Sequence, residues 1–362
     1  MKKIQQAVLF MICLYNSITT IAQEEKKNPF TISAYGEIYY LHDLNKPINN
    51  TRPPFVYSHN RSNEVNINLA YIKGNYTVDR LRANLAIGAG TYMNANYSAE
   101  PGVLKNVFEV NAGVKLSASR NLWIDAGVMP SHLGFESAIG KDNWTVTRSM
   151  LADNSPYFET GARLSYTTNN EKWYLALLYL NGWQRIQRAD GNSTPAFGTQ
   201  VTYKPSQAVT INYSTFIGSD KPDSIRQMRY FQNLYSIIQV SKKFGITAGI
   251  DVGLEQKNKG GKQYNHWYTP ILIMKYAPDT KNSVTARAEY YDDANGVIIN
   301  SVHENGFSTF GWSINYDKTL FGNMMWRLEV RNLLGKEAYF NKADNTLSSN
   351  TTFFTTALTF GF

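Results

Sequence analysis

The chain of 362 residues contains one cysteine, five histidines and, after its first two dozen positions, no long apolar run. The missing apolar run excludes a helical membrane protein, because each spanning helix needs about 20 apolar residues. The lone cysteine, Cys13, lies near the N-terminus behind Ile12, which is too large for a lipidation motif. The rest of the chain therefore folds without disulfides. Chemistry-bearing motifs are scarce too. No HExxH is present, and Gly88-Ala89-Gly90 reads as small residues in a strand, not as a phosphate loop. Asp292-Asp293-Ala294-Asn295-Gly296 lacks the later glutamate of a calcium loop and reads as turn chemistry. Neither a cofactor nor a metal is expected. Of His42, His59, His132, His266 and His303, four fall in or beside loops, and Ser131 next to His132 cannot supply a nucleophile, a base and an orienting group. The net charge of +8 and pI near 9.2 raise nucleic acid as a partner. The lysines are spread over loops and turns, not gathered in one stripe, so no nucleic acid is expected.

What is present begins with an export signal. Lys2 and Lys3 precede the apolar run Ala7–Tyr15, and Thr20 and Ala22 fit a small-residue cleavage site. Residues 1–22 are expected to be removed and 23–362 to form a single domain starting at Gln23. Loss of Lys2 and Lys3 lowers the formal charge from +8 to +6 (8 − 2).

From residue 31 onward, apolar and polar positions alternate with period two. Ile32, Ala34, Ile38 and Tyr40 share one face, and Ser33, Tyr35, Glu37 and Tyr39 the other. Val65, Ile67, Leu69 and Tyr71 oppose Glu64, Asn66, Asn68 and Gly74; Phe108, Val110, Ala112 and Val114 oppose Glu109, Asn111, Gly113 and Lys115. Segments at 81–90 and 122–128 behave alike. Further strands are predicted at 157–167, 172–181, 196–204, 208–218, 227–241, 245–256, 266–276, 283–291, 307–316, 323–331 and 351–362. At 172–181, Leu175, Leu177, Leu178 and Leu180 blur the two faces. Each segment is about as long as the ~10 residues of a tilted transmembrane strand. The fold class is therefore all-β: a transmembrane antiparallel barrel of about sixteen strands, fourteen being the alternative count.

Connections alternate between long and short, as in 42–62 against 77–79 and 130–156 against 168–171. That pattern suits a barrel with short periplasmic turns, long external loops and both termini periplasmic. Tyr and Trp near strand ends, such as Trp173, Tyr203 and Tyr276, match interfacial girdles. Phe354, Leu358, Phe360 and Phe362 share a face of the last strand and are candidates for the signal read by the barrel-insertion machinery.

Charged positions opposite the apolar face are expected to point into the lumen: Glu37, Glu64, Arg80, Arg82, Glu109, Lys115, Asp125, Glu159, Arg163, Asp251, Glu255, Arg287, Glu289, Arg327, Glu329 and Arg331. Facing lipid, an Arg or Lys would cost about 2–4 kcal/mol at the midplane. The two signs nearly balance, so charge alone assigns no selectivity. The long connection 130–156 carries apolar residues that would be wasted in water, and Asn143 is a candidate helix cap. This loop is expected to fold into the lumen, with Glu136, Lys141, Asp142 and Arg148 lining the narrowest point.

SAYGEIYY, TRPPF, NEVNINLAYIKG, AEPGVLKNVFEVNAGVKL, LWIDAGVMPSHLGFESAIGKDNWTVTRSMLADNSPYFETGARL and YLNGWQRI together resemble the OmpL-like β-barrel porin family. The match is dense over 31–187 and looser afterwards. It implies an outer-membrane porin and says little about cargo. The expected partners are outer-membrane lipid, the insertion machinery and small hydrophilic solutes, with no oligomeric state specified. A barrel enzyme of phospholipase or protease type, and a surface adhesin or structural barrel, are the competing readings.

Overall fold

In a computed structural model that describes residues 28–362, the alternating segments become sixteen antiparallel strands closed into a barrel. The expected export signal at 1–22 lies outside the described residues. The first strands are β1 (Phe30–Asp43), β2 (Val65–Val78), β3 (Leu81–Ala89), β4 (Val107–Lys115) and β5 (Asn121–Pro130). They continue with β6 (Phe158–Thr167), β7 (Trp173–Leu180), β8 (Ala196–Ser206), β9 (Val209–Gly218) and β10 (Arg229–Gln239). Then follow β11 (Phe244–Gln256), β12 (Tyr264–Tyr276), β13 (Asn282–Asp293), β14 (Phe307–Thr319), β15 (Met325–Gly335) and a closing strand, Asn350–Gly361. The closing strand returns to β1, with Tyr35 opposite Gly361 and Asp43 opposite Phe353. Closure leaves no unpaired strand edge, which a lipid environment requires.

The short connections 79–80, 116–120, 168–172, 207–208, 240–243, 277–281 and 320–324 form one rim, called here the turn rim. The longer ones form the loop rim. Ile32, Ile72, Leu85, Leu177 and Ile314 are exposed on the outer face, where an apolar band faces lipid. In β7, Leu175, Leu177 and Tyr179 point outward, while Ala176, Leu178 and Leu180 are buried inward. Both faces are apolar there because the inner one packs on protein: Leu178 and Leu180 share a core with Leu133 and Phe216.

Two bulges correct the predicted faces. Opposite β1 the register slips so that Glu37 pairs with Leu69 and Ile38 with Ile67, leaving Asn68 as the extra residue. Leu69 and Tyr71 consequently take the inner face instead of the lipid face, and Lys73 follows them inward. Between β3 and β4, Ala86 pairs with Glu109 and Ile87 with Val107, so Phe108 is the extra residue and joins the interior core. Arg80 is corrected as well. It lies in the turn 79–80, where its exposed guanidinium donates to the Lys115 carbonyl at 2.7 and 2.9 Å.

Several long connections bend inward over the barrel mouth. Phe55 of 44–64 packs on Phe307 at 4.7 Å between centroids, and Tyr97 of 90–106 stacks on Phe158 at 4.0 Å. Trp183 of 181–195 meets Phe216 and Phe231 edge-on. The loop end of the lumen is therefore packed with protein.

Candidate pore and constriction

The 131–157 connection enters the lumen along β6, β9 and β10. The Ser131 N–H bonds the Tyr157 carbonyl at 3.0 Å and closes its neck. The His132 ring then reaches Glu159 through Nδ1 at 2.6 Å and the Thr215 carbonyl through Nε2 at 2.8 Å. Both partners accept, so the ring is fully satisfied as an imidazolium. Burial opposes that charge, but the Glu159 carboxylate outweighs it and raises the pKa above the ordinary histidine value. Ser214 donates to the His132 carbonyl at 2.9 Å, and the Gly134 N–H donates to Asn233 at 3.2 Å.

Farther along, the loop braces itself. Arg148 is fully buried and donates to the Ser137, Ala138 and Val146 carbonyls at 2.7, 3.0 and 2.8 Å. It is thus an internal clasp and not a pore-lining charge, a correction that follows from the loop having too few backbone partners of its own. Asn143 does not cap the helix that contains Met150 and Leu151: its amide receives the Ser137 N–H at 2.7 Å and donates to the Ser137 carbonyl at 2.8 Å. The cap of the short helix Met150–Asp153 is Ser149, whose hydroxyl accepts the Ala152 N–H at 3.1 Å. Glu136 is half-buried and accepts the Ser149 N–H at 2.9 Å as well as that hydroxyl. Lys141 and Asp142 are exposed at the loop tip.

Charges of the β13–β15 wall hold this loop in place. Arg327 forks onto Asp317 at 2.7 and 2.9 Å and donates to the Gly140 and Asn143 carbonyls at 2.6 and 2.8 Å. Glu329 accepts the Thr147 N–H at 2.8 Å and Glu289 the Met150 N–H at 2.7 Å. Arg287 links Glu329 to the Thr147 carbonyl, and Arg331 links Glu289 to the Arg148 carbonyl. All five of these Arg and Glu side chains on β13 and β15 are at most 3% exposed. Their work is to satisfy buried loop backbone that has left water.

The opposite wall, β2–β6, stays open. A cavity of about 270 Å3 separates it from the loop, with Tyr71, Lys73, Phe108 and Glu109 on the wall side and Phe135 and Glu136 on the loop side. Lys73 pairs with Glu109 at 2.5 Å, and Arg82 and Arg163 share Asp125 at 2.6 and 3.4 Å. Lys115 lies one row nearer the turn rim, opposite Trp123.

Comparison with known proteins decides the family. The model of the family described as "Putative beta-barrel porin-2, OmpL-like" matches residues 29–362. The chain belongs to this family. No curated protein matches it. Among solved structures, OmpT of Vibrio cholerae aligns at a TM-score of 0.60 with 10% identity, covering 93% of this chain and 99% of that one. An anion-selective porin from Comamonas acidovorans gives 0.59 with 10% identity over 92% and 99%. The outer-membrane channel DcaP of Acinetobacter baumannii gives 0.59 with 9% identity over 92% and 97%. At such identities these likenesses establish the barrel fold alone.

Within this porin family member, the structure groups the predicted lumen charges into two sets. Arg287, Glu289, Arg327, Glu329 and Arg331 clamp the loop, and Arg82, Glu109, Asp125 and Arg163 stand on the open wall. Glu159 serves the loop neck through His132. Sequence reasoning missed Tyr71, Lys73 and Phe108 as interior residues. Their alternation is regular on paper, and only the pairing with β1 and β3 reveals the bulges.

Proposed function

We propose that the protein is a passive channel of the bacterial outer membrane for small hydrophilic solutes, with the turn rim and both termini periplasmic. The observation that carries this reading is a loop clamped across a charged lumen that still leaves a cavity against the β2–β6 wall. Sixteen strands enclose an aqueous channel when nothing else fills them, so the loop and the packed mouth limit flux. Glu136, Lys141 and Asp142 are the loop residues assigned to the constriction. His132 gives a hydrolytic reading no support, because both its ring nitrogens are engaged by Glu159 and Thr215.

Conductance of the purified protein in planar bilayers tests the proposal. Shortening residues 136–150 should raise single-channel conductance, since the clamp charges left behind would be hydrated by the widened lumen. Unchanged conductance would place the constriction elsewhere. A folded barrel with no conductance would favour an adhesin or structural barrel.

A further inference from the structure

The charges expected to face the lumen are nearly balanced in sign, and the structure presents them unequally to water. With the loop clamped, the β13–β15 charges are sealed from water. On the open wall the bases stand in front of the acids. Lys73, Arg82 and Arg163 keep 24%, 32% and 23% of their side-chain surface, whereas Glu109 and Asp125 keep 7% and 1%. Gly113 permits this arrangement: it pairs between Arg82 and Asp125, and a Cβ there would lie 2.1 Å from the Asp125 carboxylate. Asp125 therefore lies flat against the wall and draws two guanidiniums over itself.

The same bias continues toward the turn rim. Lys115 faces Trp123 and has no carboxylate partner among the described residues. Across the lumen, Lys275 lies 5.8 Å from the Trp144 ring of the loop, and Lys141 is exposed at the loop tip. Of the acids in that region, Asp142 is exposed, while Glu136 is already held by the Ser149 backbone and hydroxyl and by Thr145. An ion in a narrow path between low-dielectric walls responds chiefly to the charges that reach the water.

We infer that the passage conducts small monovalent anions in preference to cations, along the column formed by Lys73, Arg82, Arg163 and Lys115. This inference rests on the channel reading above. At the cavity, Tyr71 and Phe108 stack at 5.1 Å beside Lys73, so an ammonium sits next to an apolar wall. Carboxylates on small carbon frames suit that pairing as well as chloride does.

The test is the zero-current potential of the full-length barrel in a bilayer under a tenfold KCl gradient. Its sign should report a severalfold preference for chloride over potassium, and replacing chloride by acetate should leave a measurable anion current. Lys115→Gln with Lys141→Gln removes no ion pair, so the folded barrel should persist while the permeability ratio falls toward one. Lys259→Gln, on the exposed connection 257–263, should leave the ratio unchanged. Open channels that prefer potassium, or a double variant with the original ratio, would overturn the inference while leaving the channel intact. Folded protein that conducts nothing would overturn the channel reading and this one with it.

Discussion

Asp153 shows how much one buried group in the inserted loop depends on its neighbours. Its Oδ1 accepts the Ser58 N–H and hydroxyl at 3.3 and 3.0 Å and lies 3.4 Å from the Tyr157 hydroxyl. Burial pushes its pKa from 3.8 up to about 7, against the pull of Arg331, Ser58 and Arg148 and with a push from Glu136. The folded state thus holds a proton that the unfolded chain releases near 3.8. Stability from this site is fullest below that value and falls as pH rises through about 7, by up to roughly 1.4 kcal/mol per pH unit. Asp153→Asn should flatten the decline of melting temperature between pH 5 and 7 and raise it at pH 8. Parallel curves for the variant and the parent would refute this. His132, also raised, works in the same direction: its contribution is complete below about 6.5 and lost as pH climbs past its folded value. A residual slope above neutrality should therefore survive in Asp153→Asn and become shallower in a double variant with His132→Gln.

At the scale of elements, the inserted loop and the closing strand depend on different interactions. The loop tip hangs on Arg327, and Arg327→Ala would leave Asp317 and two carbonyls without their donor. Breaking such a buried pair costs about 3–5 kcal/mol, so the variant should show noisier, larger single-channel currents and a lower melting temperature. Quiet currents of parental size would show that the tip is held by something else. The closing strand presents Phe354, Leu358, Phe360 and Phe362 outward, and Phe362 exchanges both backbone hydrogen bonds with Ala34, at 2.8 and 3.1 Å. Deleting Phe362 should lower the folded fraction in the membrane without impairing export. Normal insertion would refute a part for this face in assembly. Period-two alternation made nearly every strand legible beforehand, because a tilted strand between lipid and water alternates of necessity. The bulges at Asn68 and Phe108 were not legible, since one extra residue leaves no local mark.

For the whole molecule, closure makes the barrel a single cooperative sheet, and unfolding it requires breaking the ladder everywhere. Unboiled protein should therefore migrate apart from boiled protein on a denaturing gel, with a circular dichroism spectrum dominated by sheet. Identical mobility together with a helical spectrum would be incompatible with the barrel. The sequence by itself determined the class of architecture and the strand positions, down to the alternation of long and short connections. Those properties follow from local periodicity and from the need to satisfy every backbone group in lipid. It also marked the loop near 130–156 as inward-folding, because Leu133, Met150 and Leu151 required burial. Only the tertiary structure decided which charges hold that loop and which face water. Arg148 and Arg331 are sealed, whereas Arg82 and Lys73 are open, because the loop leans on β13–β15 and away from β2–β6. That difference depends on contacts between residues far apart in the chain, and no pattern within a single strand encodes it.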